Sequence, residues 1–259
     1  MNSQSSQMLL AADDPSPVQI FNPQGPSPFL LIGDHAGNAI PSRMGSLGLS
    51  TKELCRHIGW DIGVAGLGEQ LAEMADAVFI RQTYSRLVID CNRDPAQPDA
   101  MPEVSDGTAV PANVGLSEAN RSARVAAIHA PYQAAIGAEI ARRDDAGIET
   151  VLVSLHSFTP SMRGVGRPWE IGILHGGGDE RFSIALLGLL GRQPGLTVGD
   201  NEPYAMDIFD YTVPRHAFEA GRAYVEIEIR QDLLVTGEQQ AGWAKRLAPL
   251  LDQARAASR

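Results

Sequence analysis

The stretch Leu152-Val153-Ser154-Leu155-His156-Ser157-Phe158 decides how this chain is expected to fold. A run of apolar residues reaches a histidine, and small polar residues and a proline follow it. This pattern predicts a buried strand that ends at a cleft. In open α/β sheets, ligands bind beyond the carboxyl ends of the strands. His156 is therefore placed for chemistry or for a metal.

A second stretch, Phe29-Leu30-Leu31-Ile32-Gly33-Asp34-His35, has the same design. Its continuous apolar run predicts a strand in a sheet that is covered on both faces. Strands and helical patterns alternate along the rest of the chain, which predicts an α/β fold. The expected architecture is a mixed, mostly parallel central sheet flanked by helices.

The length of 259 residues favours a single domain, and the hydrophobic content of 44% is enough for a core. Residues 1–27 are rich in Ser, Gln, Pro and Asp and are expected to form a loosely ordered arm. Residues 28–259 are expected to form one catalytic domain. Further strands are predicted at Val18–Phe21, 77–80, 86–90, 151–156, 169–174 and Tyr224–Arg230. Helices are predicted after the Ser50 capping box and after Asp61, over 117–143 with a kink or break at Pro131, and over Arg181–Leu190 and Gly237–Ala257.

Composition excludes several classes of function. The formal net charge is −10 and no cluster of Lys and Arg stands out, so nucleic acid is not an expected partner. No apolar run approaches the roughly 20 residues of a membrane span. The two cysteines make no disulfide framework, and residues 1–7 lack the basic residues of a secretory signal. A cytoplasmic location is therefore expected, while the oligomeric state stays open.

His35 and His156 are the strongest candidates for a site. Zinc binds neutral imidazole, and its catalytic sites combine three protein ligands with a water. A single histidine after a strand is better interpreted as a partner of a nearby loop, but two in matching contexts favour a shared site. Asp61 is a possible third ligand. Because Asp61 also precedes a helical pattern, the sequence pattern alone favours a helix N-cap at this position.

Arginines supply candidates for substrate binding, because a guanidinium grips a carboxylate with two parallel hydrogen bonds. Arg86, Asn92 and Arg93 surround a predicted strand end, where a surface salt bridge with Asp90 or Asp94 is equally compatible with the pattern. Two further arginines, Arg163 and Arg167, lie in a glycine-bearing loop that could close over a substrate.

The strand predicted at Tyr224–Arg230 carries charge on one face and apolar residues on the other. Glu226, Glu228 and Arg230 share the charged face, which either borders a site or is the solvated face of an edge strand. The full apolar opposite face favours a strand within a covered sheet. A glutamate that faces a zinc-bound water is a good general base, whether this is Glu226 or Glu228. His216, near Pro214, is assigned a minor role at the site.

Cys91 is the candidate for a different chemistry, that of a cysteine nucleophile. No histidine is close to it in sequence, so a small buried hydrophobic residue is the favoured interpretation. His57, His129 and His175 are assigned to structure or surface. The glycine clusters match neither a dinucleotide fingerprint nor a phosphate-binding loop, and no nucleophile elbow is present.

Five motifs in order resemble the N-formylglutamate amidohydrolase family. They are Gly33-Asp34-His35-Ala36-Gly37, Gly59-Trp60-Asp61, Ser85-Arg86-Leu87-Val88-Ile89-Asp90-Cys91-Asn92-Arg93, Leu155-His156-Ser157-Phe158 and Glu228-Ile229-Arg230-Gln231-Asp232-Leu233. The resemblance covers about residues 28–250 and extends distantly to zinc carboxypeptidases and the aspartoacylase group. It implies a phosphorylase/hydrolase-like fold and zinc-dependent amide hydrolysis.

The resemblance also implies roles for particular residues. His35 and His156 become metal ligands, Glu228 the catalytic carboxylate, and Asn92 with Arg93 the binding site for a substrate carboxylate. The carboxypeptidase pattern has a glutamate ligand three residues after its first histidine, and here that position is Asn38, a poor zinc ligand. Asp61 is the replacement that we favour.

The leading hypothesis is a zinc-dependent amidohydrolase with one ion held by His35, Asp61 and His156, although another divalent metal is possible. It would cleave an N-acyl amino acid, with N-formyl-L-glutamate as the leading candidate, in amino-acid catabolism such as histidine degradation. The substrate contacts would be Arg86, Asn92, Arg93, Arg163, Arg167, His216 and Arg230. The alternatives are a hydrolase that uses Cys91 and a non-catalytic protein that binds an acidic metabolite.

Overall fold

The computed structural model describes residues 8–259, so the expectation for residues 1–7 lies outside the described part. Eleven strands and six α-helices are found there. The strands are β1 Val18–Phe21, β2 Phe29–Gly33, β3 Val78–Gln82, β4 Val104–Ser105, β5 Thr108–Ala109, β6 Val151–Phe158, β7 Ser161–Met162, β8 Val165–Gly166, β9 Ile171–Leu174, β10 Val198–Asp200 and β11 Tyr224–Arg230. The helices are α1 Thr51–Leu54, α2 Val64–Met74, α3 Glu118–Arg124, α4 Ala130–Asp145, α5 Arg181–Leu190 and α6 Gly237–Ala257.

Seven strands form one mixed sheet in the order β1-β3-β2-β6-β11-β9-β10. The central strands β3, β2, β6 and β11 are parallel to one another, whereas β1 and β9 run antiparallel to their neighbours β3 and β11. This architecture confirms the predicted mixed, mostly parallel sheet between helices. The short strand expected at Val18–Phe21 is also confirmed, at the edge of the sheet.

Alternation along the strands divides the core into two layers. Leu31, Val153 and Ile227 face the layer that packs against α2, α5 and α6, whereas Leu30 and Leu152 face the layer beneath α4. All eight residues of β6 are buried, because β2 and β11 pair with its two edges and the two core layers cover its two faces. Strand β11 is likewise internal, so the edge-strand interpretation of its charged face is wrong.

Two local predictions are wrong for physical reasons. Residues 86–90 are not a strand: residues 86–88 form a turn in which the Val88 amide donates to the Ser85 carbonyl, and Leu87, Val88 and Ile89 pack into the core layer beneath α4. Asp61 is not an N-cap, because α2 begins after Gly63, whose φ of 86° is a left-handed conformation that glycine adopts easily. The predicted capping box at Ser50 is confirmed.

The long helical pattern over residues 117–143 contains one irregular segment. A five-residue π-helical stretch, Val125–His129, joins α3 to α4 and ends two residues before Pro131. Proline lacks the amide proton that a regular α-helix would use here, so the wider turn falls where the break was expected. No helix within residues 8–259 is long and apolar enough to cross a membrane.

Two glycine variants should report on the packing between α2 and the sheet. A methyl group at Gly68 would overlap the Phe79 ring, whereas one at Gly242 in α6 meets no described atom. We expect Gly68→Ala to lower the free energy of unfolding by about 1–3 kcal/mol, the usual effect of overpacking. Gly242→Ala should instead raise it by about 0.5–1 kcal/mol, since alanine favours helix. Denaturant unfolding of both variants measures the difference, and a Gly68→Ala protein as stable as the wild type would contradict this packing.

Candidate metal centre

The carboxyl ends of β2, β6 and β11 meet at one edge of the sheet and form the floor of a cleft of about 380 Å³. Because these strands are parallel, the residues at their ends lie side by side. Glu228 of β11 is in register with His156 of β6, and His35 follows β2. The two histidines predicted from the sequence therefore do face the same cleft.

Three buried side chains converge at the floor of this cleft. One ligand atom from each of His35, Asp61 and His156 lies within 4.8 Å of the others, a grouping that could hold a metal ion. Asp61 Oδ2 is 2.9 Å from His156 Nδ1 and 3.5 Å from His35 Nδ1. The His35 Nδ1 atom is buried and has no hydrogen-bond partner within residues 8–259. A free imidazole nitrogen beside a carboxylate and a second imidazole fits a cation.

The second nitrogen of each imidazole faces away from this cluster. His35 Nε2 lies 2.7 Å from Asp90 Oδ1, and His156 Nε2 lies 3.0 Å from Ser154 Oγ and 3.6 Å from Asp34 Oδ2. Metal-bound histidines commonly donate their other N–H to a carboxylate or another polar group, which fixes the ring and its tautomer. Asp34 and Asp90 were not identified as site residues from the sequence. Asp34 directly precedes His35, and Asp90 lies two residues before Asn92.

Asp61 is held in place by the main chain. Its amide donates to the His35 carbonyl at 2.9 Å, and the Ser157 amide donates to its Oδ2 at 3.3 Å. Burial alone would raise the pKa of Asp61, but His35 and His156 outweigh burial and hold it far below the usual value. Asp61 therefore presents an ionised carboxylate to the cluster. Asn38, by contrast, donates its side-chain amide to the Leu54 carbonyl.

Glu228 and Glu226 border the same cleft from β11. Each is buried, and each has an Oε2 atom without a hydrogen-bond partner in the described part of the chain. Burial is the largest cause that raises the pKa of Glu228, to about 7, and it also raises the pKa of Glu226 well above the usual value. Glu228 lies beside His156, whereas Glu226 lies beside Ser154, two positions deeper in the sheet.

Arg86 and Arg163 both line the cleft, but only Arg86 forms an ion pair among the described residues. Arg86 donates through Nε and Nη2 to Asp90 Oδ2 at 3.0 and 2.7 Å, so the predicted ion pair exists but lies inside the cleft. Arg163 stands at the tip of the β7–β8 hairpin with a positive φ of 50°. No acidic side chain within residues 8–259 pairs with it, and it lines the cleft.

Asn92 and Arg93 mainly hold a loop that forms one wall of the cleft. Asn92 Oδ1 accepts hydrogen bonds from the amides of Tyr211 and Thr212 at 3.0 and 2.9 Å. The Arg93 Nη1 atom donates to the main-chain carbonyls of Asn92 and Phe209. Both residues line the cleft, but these contacts bind protein atoms.

The structure does not bring the other three predicted substrate contacts to the cleft lining. Arg167 stacks on the ring of Tyr204, its guanidinium carbon 4.7 Å from the centroid, and Tyr204 itself lines the cleft. His216 lies 2.8 Å from the amide of Gln133, and Arg230 pairs with Asp232.

His57 differs from its assignment, whereas Cys91 is buried as the sequence favoured. His57, assigned to structure or surface, lines the cleft with its Nε2 atom 3.4 Å from Asp106. Cys91 is fully buried, and burial raises the pKa of its thiol well above the usual value. Because a thiolate is the nucleophilic form, this environment opposes a catalytic role for Cys91.

The sheet, with a cleft at its carboxyl edge, defines an α/β protein of the open-sheet type. The chain belongs to the N-formylglutamate amidohydrolase family, whose sequence profile matches residues 27–235. The match confirms the resemblance seen in the motifs, and membership supports hydrolysis of amide bonds.

Solved structures share the fold of this chain. The gene product Atu2144 from Agrobacterium tumefaciens is 37% identical to the chain, with a TM-score of 0.92 over 96% of this chain and 98% of that one. An N-formylglutamate amidohydrolase from Ralstonia eutropha JMP134 is 21% identical, with a TM-score of 0.69 over 93% and 98% of the two chains, and it supports the fold. A search of curated proteins finds no match.

Proposed function

We propose that the protein is a zinc-dependent amidohydrolase that cleaves an N-acyl amino acid, with N-formyl-L-glutamate as the leading candidate and formate and L-glutamate as its products. The observation that carries the proposal is the buried cluster of His35, Asp61 and His156 beside Glu228. Family membership supports the amide as the bond that is cleaved. Cytoplasmic amino-acid catabolism, including histidine degradation, is the proposed setting, consistent with two free cysteines.

The donor set suits zinc. Two imidazoles and one carboxylate are ligands that catalytic zinc sites use, with one position left for water or substrate. When bound, such an ion polarises the acyl carbonyl and lowers the pKa of a bound water to about 7. His35, Asp61 and His156 would hold it, while Asp90 and Asp34 would orient the two rings.

Glu228 is the residue that would move the proton. It lies beside His156, and its buried Oε2 atom is free of protein partners within residues 8–259. It would accept a proton from the attacking water and deliver that proton to the leaving amine nitrogen. Glu226 lies deeper in the sheet, beside Ser154, which favours Glu228 as the base.

The positive side chains of the cleft would hold the substrate carboxylate. Arg163 has a guanidinium without an acidic partner among the described residues, and Arg86 stands next to the cluster although Asp90 occupies two of its nitrogens. Asn92 and Arg93 would contribute chiefly by holding the wall formed by residues 209–212. Arg167 would position the ring of Tyr204, which lines the cleft. His216 and Arg230 would not contact the substrate but would support residues behind the cleft.

Removal of the metal tests the proposal. Dialysis against a strong chelator is expected to abolish N-formyl-L-glutamate hydrolysis, and stoichiometric zinc should restore it. The purified protein should contain about one ion per chain, as expected for a site with three protein ligands. Full activity in a chelated, metal-free protein would refute zinc dependence. Loss of activity on thiol alkylation in place of chelation would instead favour Cys91.

Removal of the Arg163 guanidinium should weaken substrate binding. A hydrogen bond to a charged group contributes about 1.5–3 kcal/mol, so we expect Arg163→Ala to raise KM roughly 10–100-fold with a smaller effect on kcat. Steady-state kinetics with N-formyl-L-glutamate measures both parameters. Arg181→Ala is the control, since Arg181 is 71% exposed in its side chain and pairs with Asp179 away from the cleft lining. An unchanged KM in Arg163→Ala would exclude Arg163 as a carboxylate contact.

A further inference from the structure

A chain of buried polar groups lies behind the candidate metal centre. It begins at Asp34, directly after β2, which is 1% exposed. Asp34 Oδ2 lies 3.6 Å from His156 Nε2 and has no hydrogen bond within residues 8–259. Asp34 Oδ1 accepts a hydrogen bond from the Thr212 hydroxyl at 3.0 Å. The carboxylate is therefore held on one side and faces the imidazole on the other.

The orientation of the Gln133 side-chain amide, on α4, shows which groups donate and which accept in this chain of hydrogen bonds. Its Nε2 atom donates to the Cys91 carbonyl at 2.9 Å and to Thr212 Oγ1 at 3.1 Å. A carbonyl oxygen accepts only, so the contact with Cys91 requires the amide nitrogen on this side. The Thr212 hydroxyl accepts from Gln133. Its own proton has two acceptors, Asp34 Oδ1 at 3.0 Å and the Cys91 carbonyl at 3.2 Å, and the bond to the charged carboxylate is the shorter and stronger of the two.

His216 closes the chain at its far end. Its Nε2 atom lies 2.8 Å from Gln133 Oε1 and, with the amide oriented in this way, donates to it. Burial lowers the pKa of His216 to about 4, so the ring is neutral and keeps one N–H for this bond. His216 belongs to the π-helical segment Pro214–Phe218, which directly follows the loop that borders the cleft.

We propose that Thr212 and Gln133 are positioning residues that hold Asp34 against His156. Together with Ser154, whose Oγ lies 3.0 Å from His156 Nε2, Asp34 thereby orients this imidazole toward the metal. The inference rests on the proposed metal centre. Groups behind metal-bound histidines typically contribute about 10–100-fold to metal affinity or activity. The chain of contacts also explains why His216 stands behind the cleft and does not line it: it orients Gln133.

Zinc affinity tests the proposal without turnover. The metal-free protein is titrated with Zn²⁺ in competition with a chromogenic chelator. Thr212→Val removes the hydroxyl at nearly constant shape and is expected to weaken zinc binding about 10–100-fold. Thr212→Ser keeps the hydroxyl and should bind zinc nearly as tightly as the wild type. Gln133→Met, which removes the amide, should weaken binding in the same direction and carries the test if Thr212→Val does not fold.

Thr150→Val is the matched control. Thr150 is also buried, but it precedes the amino-terminal end of β6, whereas the metal centre lies at the carboxyl end. Its variant should therefore bind zinc like the wild type. If Thr212→Val and Gln133→Met only lower the melting temperature of the metal-free protein and leave zinc affinity unchanged, their role is structural and the positioning proposal is wrong. A wild-type protein that binds no zinc would refute the metal centre itself and this inference with it.

Discussion

Replacement of Glu228 by glutamine is expected to lower kcat for N-formyl-L-glutamate by about 10²–10⁴-fold, the usual contribution of a general acid–base group. Glutamine keeps the size of the side chain but cannot accept a proton. The effect should be large because Glu228 stands beside His156 with a buried Oε2 atom that binds no described protein group. Zinc content should remain at the wild-type value, since Glu228 is not part of the ligand cluster. Steady-state kinetics and metal analysis of the same preparation measure both quantities.

Glu226→Gln is the matched control for this variant. It makes the same substitution on the same strand and face, two residues away, and should reduce kcat far less. Comparison of the two variants also decides which glutamate is the base. A larger loss of kcat in Glu226→Gln than in Glu228→Gln would reassign the proton transfer to Glu226.

Replacement of His156 by alanine is expected to remove both the metal and the activity. His156 contributes Nδ1 to the cluster and lies 2.9 Å from Asp61 Oδ2. Without it, His35 and Asp61 are two of the three protein ligands that a catalytic zinc site uses. A catalytic metal supplies several kcal/mol of transition-state stabilisation, so kcat/KM should fall by at least about 10³-fold. Metal analysis after gel filtration and kinetic assays measure the two losses.

His175→Ala controls for the loss of a histidine at the end of a strand. His175 follows β9 and contacts Glu180 and Asp200, each at 2.9 Å, outside the cluster. Its variant should keep wild-type zinc content and activity. Retention of both metal and activity by His156→Ala would contradict the proposed ligand set, whatever the stability of the variant.

The convergence of His35 and His156 at one cleft was predictable from the sequence. An apolar strand that is buried on both faces is recognisable from composition, and in a parallel sheet the carboxyl ends meet at one edge. His35 and His156 therefore could be expected to converge. Glu228 could be expected on the face of the sheet that borders the cleft, because side chains alternate along a strand and β11 has one charged face.

Asp61 shows where a local pattern is ambiguous. A carboxylate before a helical pattern is typical of an N-cap, and only the start of α2 after Gly63 leaves it free to contact His156. Residues 86–90 show the same ambiguity, since their apolar side chains are as buried in a turn as they would be in a strand. Short apolar runs do not distinguish these conformations.

The sequence by itself determined the fold class, the family and the two histidines of the cluster, because hydrophobic periodicity and motif order are properties of the chain. The tertiary structure alone decided which partners the polar side chains find. It placed Asp61 against both imidazoles, bound Asn92 and Arg93 to the loop around residues 209–212, and set His216 behind Gln133. These partners lie up to about 120 positions apart in sequence, as Asn92 and Thr212 do. Hydrogen bonds and ion pairs depend on distances within a few ångströms, which no spacing along the chain specifies.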